Sequence, residues 1–137
     1  MEPAVRRQKS ILQILVAVLA VTPVAAGLAG VVLGPTFLGL DPPWPTDLDS
    51  HFRFLSGIFL ALGLAWYSCI PDIEVKSGRF RLLGLLTFAG GLARLFSLVV
   101  AGTPSAGHLA GLGMELLVVP ALVLWQGHIA KRSRQAR

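Results

Sequence analysis

Arg53, Arg94 and Glu115 are the residues whose chemistry stands out, because each lies inside or near the end of a long apolar run. An ionised group near the centre of a bilayer costs at least roughly 2.5 kcal/mol, so such groups turn inward and meet partners. Arg94 and Glu115 lie equally far, on either side, from a turn centred between Pro104 and Ser105. In an antiparallel hairpin they share one depth, about 10 Å from the helix ends at a rise of 1.5 Å per residue. A two-pronged arginine–carboxylate pair is the expected consequence. Asp49 and Arg53 stand four residues apart, the spacing of an ion pair on one helix face. His51, Ser56, Ser97 and His108 fall in the same half of the runs, whereas the other half offers little beyond Gln13 and Thr87. The polarity is therefore expected to be one-sided.

Two kinds of chemistry fit that set. In one, Arg94–Glu115 and Asp49–Arg53 are structural latches that specify packing. In the other, two cations and one carboxylate leave a positive excess that suits a lipid headgroup, a quinone or an organic anion. His51 and His108 would hold a metal only with a third ligand brought to them by the fold, and no metal site is assigned. There is no Ser-His-Asp set, H-E-x-x-H motif or phosphate loop, so no catalytic residue is assigned and an enzyme is the least favoured class. No cofactor is identified, with a lipid or quinone the candidates.

The elements that must position these residues are four apolar runs, at residues 11–33, 50–70, 80–101 and 108–129. Each is close to the roughly 20 residues that a helix needs to span hydrocarbon. Apolar residues make up 54% of the chain and charged ones 14%, against about 25% charged in a soluble domain. The mean hydropathy of +0.71 agrees. The expected fold is all-α: a polytopic membrane protein forming one four-transmembrane-helix bundle over residues 11–129. Basic tails over residues 1–10 and 130–137 flank it. Arg6, Arg7 and Lys9 ahead of the first run, with Val24-Ala25-Ala26 inside it, resemble a signal peptide. The apolar stretch continues past that point, which favours a retained helix.

Charge sets the expected orientation. Lys76, Arg79 and Arg81 mark the middle loop, and Lys131, Arg132, Arg134 and Arg137 the last tail, whereas the first loop carries Asp41, Asp47 and Asp49 and no cation. By the positive-inside rule both tails and the middle loop are cytoplasmic, an N-in/C-in arrangement. The net charge of +5 resides in these flanks and not in a basic stripe interleaved with aromatics, which argues against nucleic acid. Pro42, Pro43 and Pro45 preclude a helix in the first loop, so Asp49 or Ser50 is expected to cap the second helix. Trp44, Trp66, Tyr67 and Trp125 sit near run ends, as an interfacial belt would, although Trp66 fits bundle packing nearly as well. Pro23 and Pro120 are expected to kink their helices. Small residues four apart mark three faces for close helix packing: Ala26-Gly30-Gly34, Gly57-Ala61-Ala65 and Ala89-Ala93-Ser97. The lone Cys69 precludes an internal disulfide and reads as a small buried or lipid-facing side chain.

Three stretches resemble a known family. His51-Phe52-Arg53-Phe54-Leu55-Ser56-Gly57-Ile58 looks like its second helix, Gly90-Gly91-Leu92-Ala93-Arg94-Leu95-Phe96-Ser97 with Gly102 and Pro104 its third, and Glu115 with Pro120 its fourth. The family is the bacterial four-helix membrane proteins known as domain of unknown function 4345. The resemblance runs from about Ile11 to Ile129. It implies a multi-pass bundle in the bacterial inner (cytoplasmic) membrane and brings no activity with it. The expected role is a non-enzymatic accessory or scaffold subunit of a larger membrane complex, with the lipid bilayer as its other partner. The alternative is a binder or carrier of a lipid, quinone or organic anion that uses Arg53, Arg94 and Glu115.

Overall fold

The computed structural model describes residues 3–135. Among them every regular element is helical: α1 (Pro3–Leu33), a 3-10 turn (Gly34–Leu38), α2 (Thr46–Tyr67), α3 (Ser77–Ala101), α4 (Ala106–Gly113), a π turn (Met114–Val118) and α5 (Val119–Gln135). Four stretches are long and apolar enough to cross a membrane: Pro3–Leu38, Thr46–Tyr67, Ser77–Ala101 and Ala106–Gln135, the last uniting α4, the π turn and α5. The chain is an all-helical multi-pass membrane protein. Val99 and Leu124 keep 77% and 76% of their surface exposed, a cost in water and the ordinary state in lipid.

The helices overrun the apolar runs that announced them. α1 begins at Pro3 and α5 continues to Gln135, so the described parts of both basic tails are helical. Proline suits the first helical position, where its missing N–H is no loss. Lys, Arg and Gln are good helix formers, so a turn extends past the hydrocarbon without penalty. Arg132 and Arg134 occupy the last turn of α5, where cations complement the helix dipole. Arg137 lies outside the described residues.

α2 starts at Thr46, directly after Pro45, and not at the expected Asp49 or Ser50. Asp49 is therefore no cap: with Asp47 it lies in the first turn, where carboxylates favour the positive helix end. At its other end α2 stops at Tyr67, three residues short of expectation. Cys69 N–H bonds Trp66 O at 3.0 Å and Ile70 N–H bonds Tyr67 O at 3.1 Å, a tightened turn ahead of Pro71. The residue before a proline avoids the helical region, which accounts for the early stop. Trp66 is buried, so it packs inside and is not a belt residue.

Pro23 lies within α1 and leaves that helix unbroken. Pro120 follows a π turn, in which Val119 N–H bonds Met114 O five residues back. The wider turn reroutes the hydrogen bonds just before a residue that has no N–H to give.

The chain divides into two compact units: Gln13–Pro71, and Asp72 to the end of α5 together with α1 up to Leu12. Within the first, α1 and α2 touch almost backbone to backbone. A Cβ on Gly27 would lie 2.5 Å from Leu60 N, and one on Gly63 would lie 2.9 Å from Val24 N. Within the second, Gly84 faces Val123 and Gly91 faces Glu115 and Leu116, while Phe80 and Ile129 are fully buried. Small residues do set the contacts, but through glycines partly outside the expected stripes. Ala89, Ala93 and Ser97 are all exposed. Four-residue spacing defines a face without saying whether another helix occupies it.

Gly27→Ala should destabilise the full chain in detergent by about 1–3 kcal/mol, because its methyl meets backbone that cannot swing aside. Gly57→Ala, whose Cβ would meet nothing nearer than Val31 at 3.9 Å, should be neutral or stabilising. Thermal unfolding compares the two, and equal stability would refute the close approach.

Candidate functional site

Arg94 projects from α3 and Glu115 from the π turn, and the two meet face to face. Arg94 Nε donates to Glu115 Oε2 at 2.9 Å and Nη2 donates to Oε1 at 3.1 Å. This is the fork-to-fork geometry that makes arginine–carboxylate pairs strong and directional. Two features of the sequence allow it. Gly91, one turn before Arg94, lets Glu115 come close, since a Cβ there would sit 2.8 Å from Glu115 Cβ. The π turn inserts an extra residue into the helical register just where Glu115 must be aimed. Glu115 keeps 11% of its side-chain surface and Arg94 30%, so the carboxylate is the deeper partner.

The second arginine has a different set of acceptors. Arg53 Nε donates to Asp49 Oδ2 at 2.9 Å, and Nη1 donates to Val31 O and to Val32 O. Those carbonyls belong to the last turn of α1, where no helical N–H remains to satisfy them. A guanidinium there satisfies two acceptors at once and places its charge at the negative helix end. Trp44 Nε1 donates to the other carboxylate oxygen, Asp49 Oδ1, at 3.2 Å. Gly34 makes the arrangement possible: its φ of +60° suits glycine, and a Cβ there would lie 2.6 Å from Asp49 Oδ1 and 2.7 Å from Arg53 Nη2. The Asp49–Arg53 ion pair is partly exposed and by itself contributes little. Its larger effect is to hold Arg53 on the carbonyls.

The sequence-marked residues thus resolve into parts. Asp49 and Arg53 pair within one unit, and Arg94 and Glu115 within the other. His108 Nδ1 shares a hydrogen bond of 2.9 Å with Ser105 Oγ at the start of α4. His51 and Ser97 are on exposed helix faces.

A family model described as "Domain of unknown function (DUF4345)" matches residues 11–126, most of the chain and all of the residues just described. The chain belongs to the DUF4345 family. No curated protein and no solved structure matches it.

This DUF4345 chain also carries polar contacts that sequence reasoning missed, in the half read as nearly apolar. Gln126 is fully buried on α5, and its Nε2 donates to Ile73 O at 2.7 Å and to Ser77 Oγ at 2.9 Å. Lys9 Nζ meets Glu74 Oε1 at 2.8 Å, with Glu74 7% exposed. Gln13 Nε2 donates to Ile70 O at 2.8 Å, and Tyr67 donates its hydroxyl proton to Ala17 O at 2.9 Å. One signal was available for Gln126. Leu122 and Ile129, four before and three after it, share its helix face, and both are buried. An amide on that face needs a partner.

Replacing Arg94 alone by Met should cost about 3 kcal/mol, the low end for a buried pair because Arg94 keeps part of its surface. Replacing both partners, as Arg94→Met with Glu115→Leu, should regain most of that loss. Chemical unfolding of the wild type, the two single variants Arg94→Met and Glu115→Leu, and the double variant in one detergent gives the coupling energy, and additive losses would show that the pair is no latch.

Proposed function

We propose that this DUF4345 protein is a non-enzymatic accessory or scaffold subunit of a larger membrane complex. We place it in a bacterial inner membrane with both ends cytoplasmic, the side favoured by the cations of its tails and middle loop. The observation that carries the reading is an unused packing face. The glycines at 27, 63, 84 and 91 are consumed in contacts inside the chain. The stripe Ala89-Ala93-Ser97 on α3 is exposed along its length, and the adjoining Gly90 has no atom within 4 Å of where its Cβ would be. In lipid such a stripe is the surface on which another helix packs closely, because no hydrophobic gain favours association and short approach must supply it.

The arginines support the same reading. Arg53 is engaged by Asp49 and two carbonyls and Arg94 by both oxygens of Glu115, which is how a latch is built. A binder or carrier of a lipid, quinone or organic anion at Arg53, Arg94 and Glu115 would first have to break those bonds, which weighs against the alternative.

Gentle solubilisation of native membranes should recover the tagged protein in an assembly with reproducible larger partners. Ala93→Leu should release those partners while leaving the thermal unfolding of the purified protein unchanged. Recovery of the wild type only as a free monomer would overturn the proposal.

A further inference from the structure

A cavity of about 500 Å³ lies between the beginning of α3 and the end of α5, wholly within the second unit. That volume falls in the range of about 300–1,000 Å³ usual for small-ligand sites. Arg81 lines it from α3, and Lys131 and Arg134 line it from α5. No carboxylate is among the described lining residues, and none of the three cations has an ion-pair partner among the described residues. Three like charges held around one hollow repel one another unless an anion joins them.

Hydrogen-bond donors converge on the same hollow. Ser77, at the first position of α3, accepts from Gln126 Nε2, so its own hydroxyl proton is left to donate. The buried Gln126 amide is fixed by its second bond, to Ile73 O. No side chain caps α3, and Phe80 N–H bonds Lys76 O at 3.0 Å, so the amides of Ser77 and Gly78 precede the helical ladder and are available to an anion at the helix's positive end.

The apolar surroundings identify the source of the anion. Leu85 lies one turn beyond Arg81 on α3 and is 64% exposed, and Leu124 lies two turns from Lys131 on α5 and is 76% exposed. A ligand anchored at the cations therefore has bare hydrocarbon surface running from it toward the middle of each helix. We propose that this cavity binds the phosphodiester headgroup of an anionic phospholipid. Arg81, Lys131 and Arg134 are its counter-charges, Ser77 and the α3 amides its hydrogen-bond donors, and Leu85 and Leu124 the beds of its acyl chains. The site is separate from Arg53, Arg94 and Glu115 and stands whether or not the protein is an accessory subunit.

Native mass spectrometry of the full chain, released from micelles doped with phosphatidylglycerol or phosphatidylcholine, tests this. Phosphatidylglycerol should be retained as a one-to-one adduct in clear preference to phosphatidylcholine. Arg81→Ala with Arg134→Ala should weaken retention about 30-fold, the effect of two surface cations near an anionic headgroup. Gly127→Leu should weaken it with every charge intact, because Gly127 lines the cavity and a Cβ there meets no atom within 4 Å. Arg132→Ala, an equal loss of charge at a residue outside the cavity, should change little, and thermal unfolding in lipid-free micelles should show all variants folded. Equal retention of the two lipids, or an equal effect of Arg132→Ala, would overturn the site. Displacement of the lipid by millimolar inorganic phosphate would assign the anion to free phosphate and overturn the lipid reading.

Discussion

Hydrocarbon offers no hydrogen bonds, so every backbone group that leaves the helical ladder must be met from within the chain. The polar side chains of this protein gather where the ladder fails. α1 ends and exposes its last carbonyls, and Arg53 reaches across from α2 to the oxygens of Val31 and Val32. The connection after α2 leaves helical geometry, and Gln13 takes the carbonyl of Ile70. Two residues past Pro71, Gln126 takes the carbonyl of Ile73. Arg53, which read from the sequence as part of a candidate ligand site, and Gln13 and Gln126 share the task of closing irregular backbone.

The same constraint explains why glycine accompanies each latch. A guanidinium or carboxylamide brought against a neighbouring backbone needs two chains closer than a Cβ permits. Gly34 gives that room to Asp49 and Arg53, and Gly91 gives it to Glu115. The latches and the close contacts are one design. The arginine is held rigidly because the glycines let acceptors approach it, and the glycine contact is specified because the ion pair admits one register.

The spans were legible because an apolar run of spanning length has few other uses. Their ends were not, since a helix continues wherever propensity and caps allow, as at Pro3 and Gln135. Arg94 and Glu115 were legible as partners because an antiparallel hairpin fixes depth by counting from Pro104 and Ser105. Asp49 and Arg53 followed from a spacing of four. Most of what escaped is accepted by backbone: the carbonyls of Val31, Val32, Ile70 and Ile73 have no residue type to betray them. The π turn at Met114–Val118 escaped for a related reason, because its cause is a missing N–H on Pro120 whose remedy among several is a matter of packing.

Closed and open charges separate cleanly along the chain. Within the candidate spans Asp49, Arg53, Arg94 and Glu115 have near-neighbour partners of opposite sign. At the beginning of α3 and the end of α5, Arg81, Lys131 and Arg134 have none among the described residues. Desolvation is the reason for the first group, because an unmatched charge in hydrocarbon is far costlier than one beside water. It is also the reason the second group can persist. At the depth of the headgroups an unpaired guanidinium keeps water on one side and faces lipid phosphates on the other, so selection for an internal partner is relaxed there. Charges left open at the beginning of α3 and the end of α5, around a hollow of about 500 Å³, are thus the ones free to meet an outside anion, whereas those inside the spans are already matched.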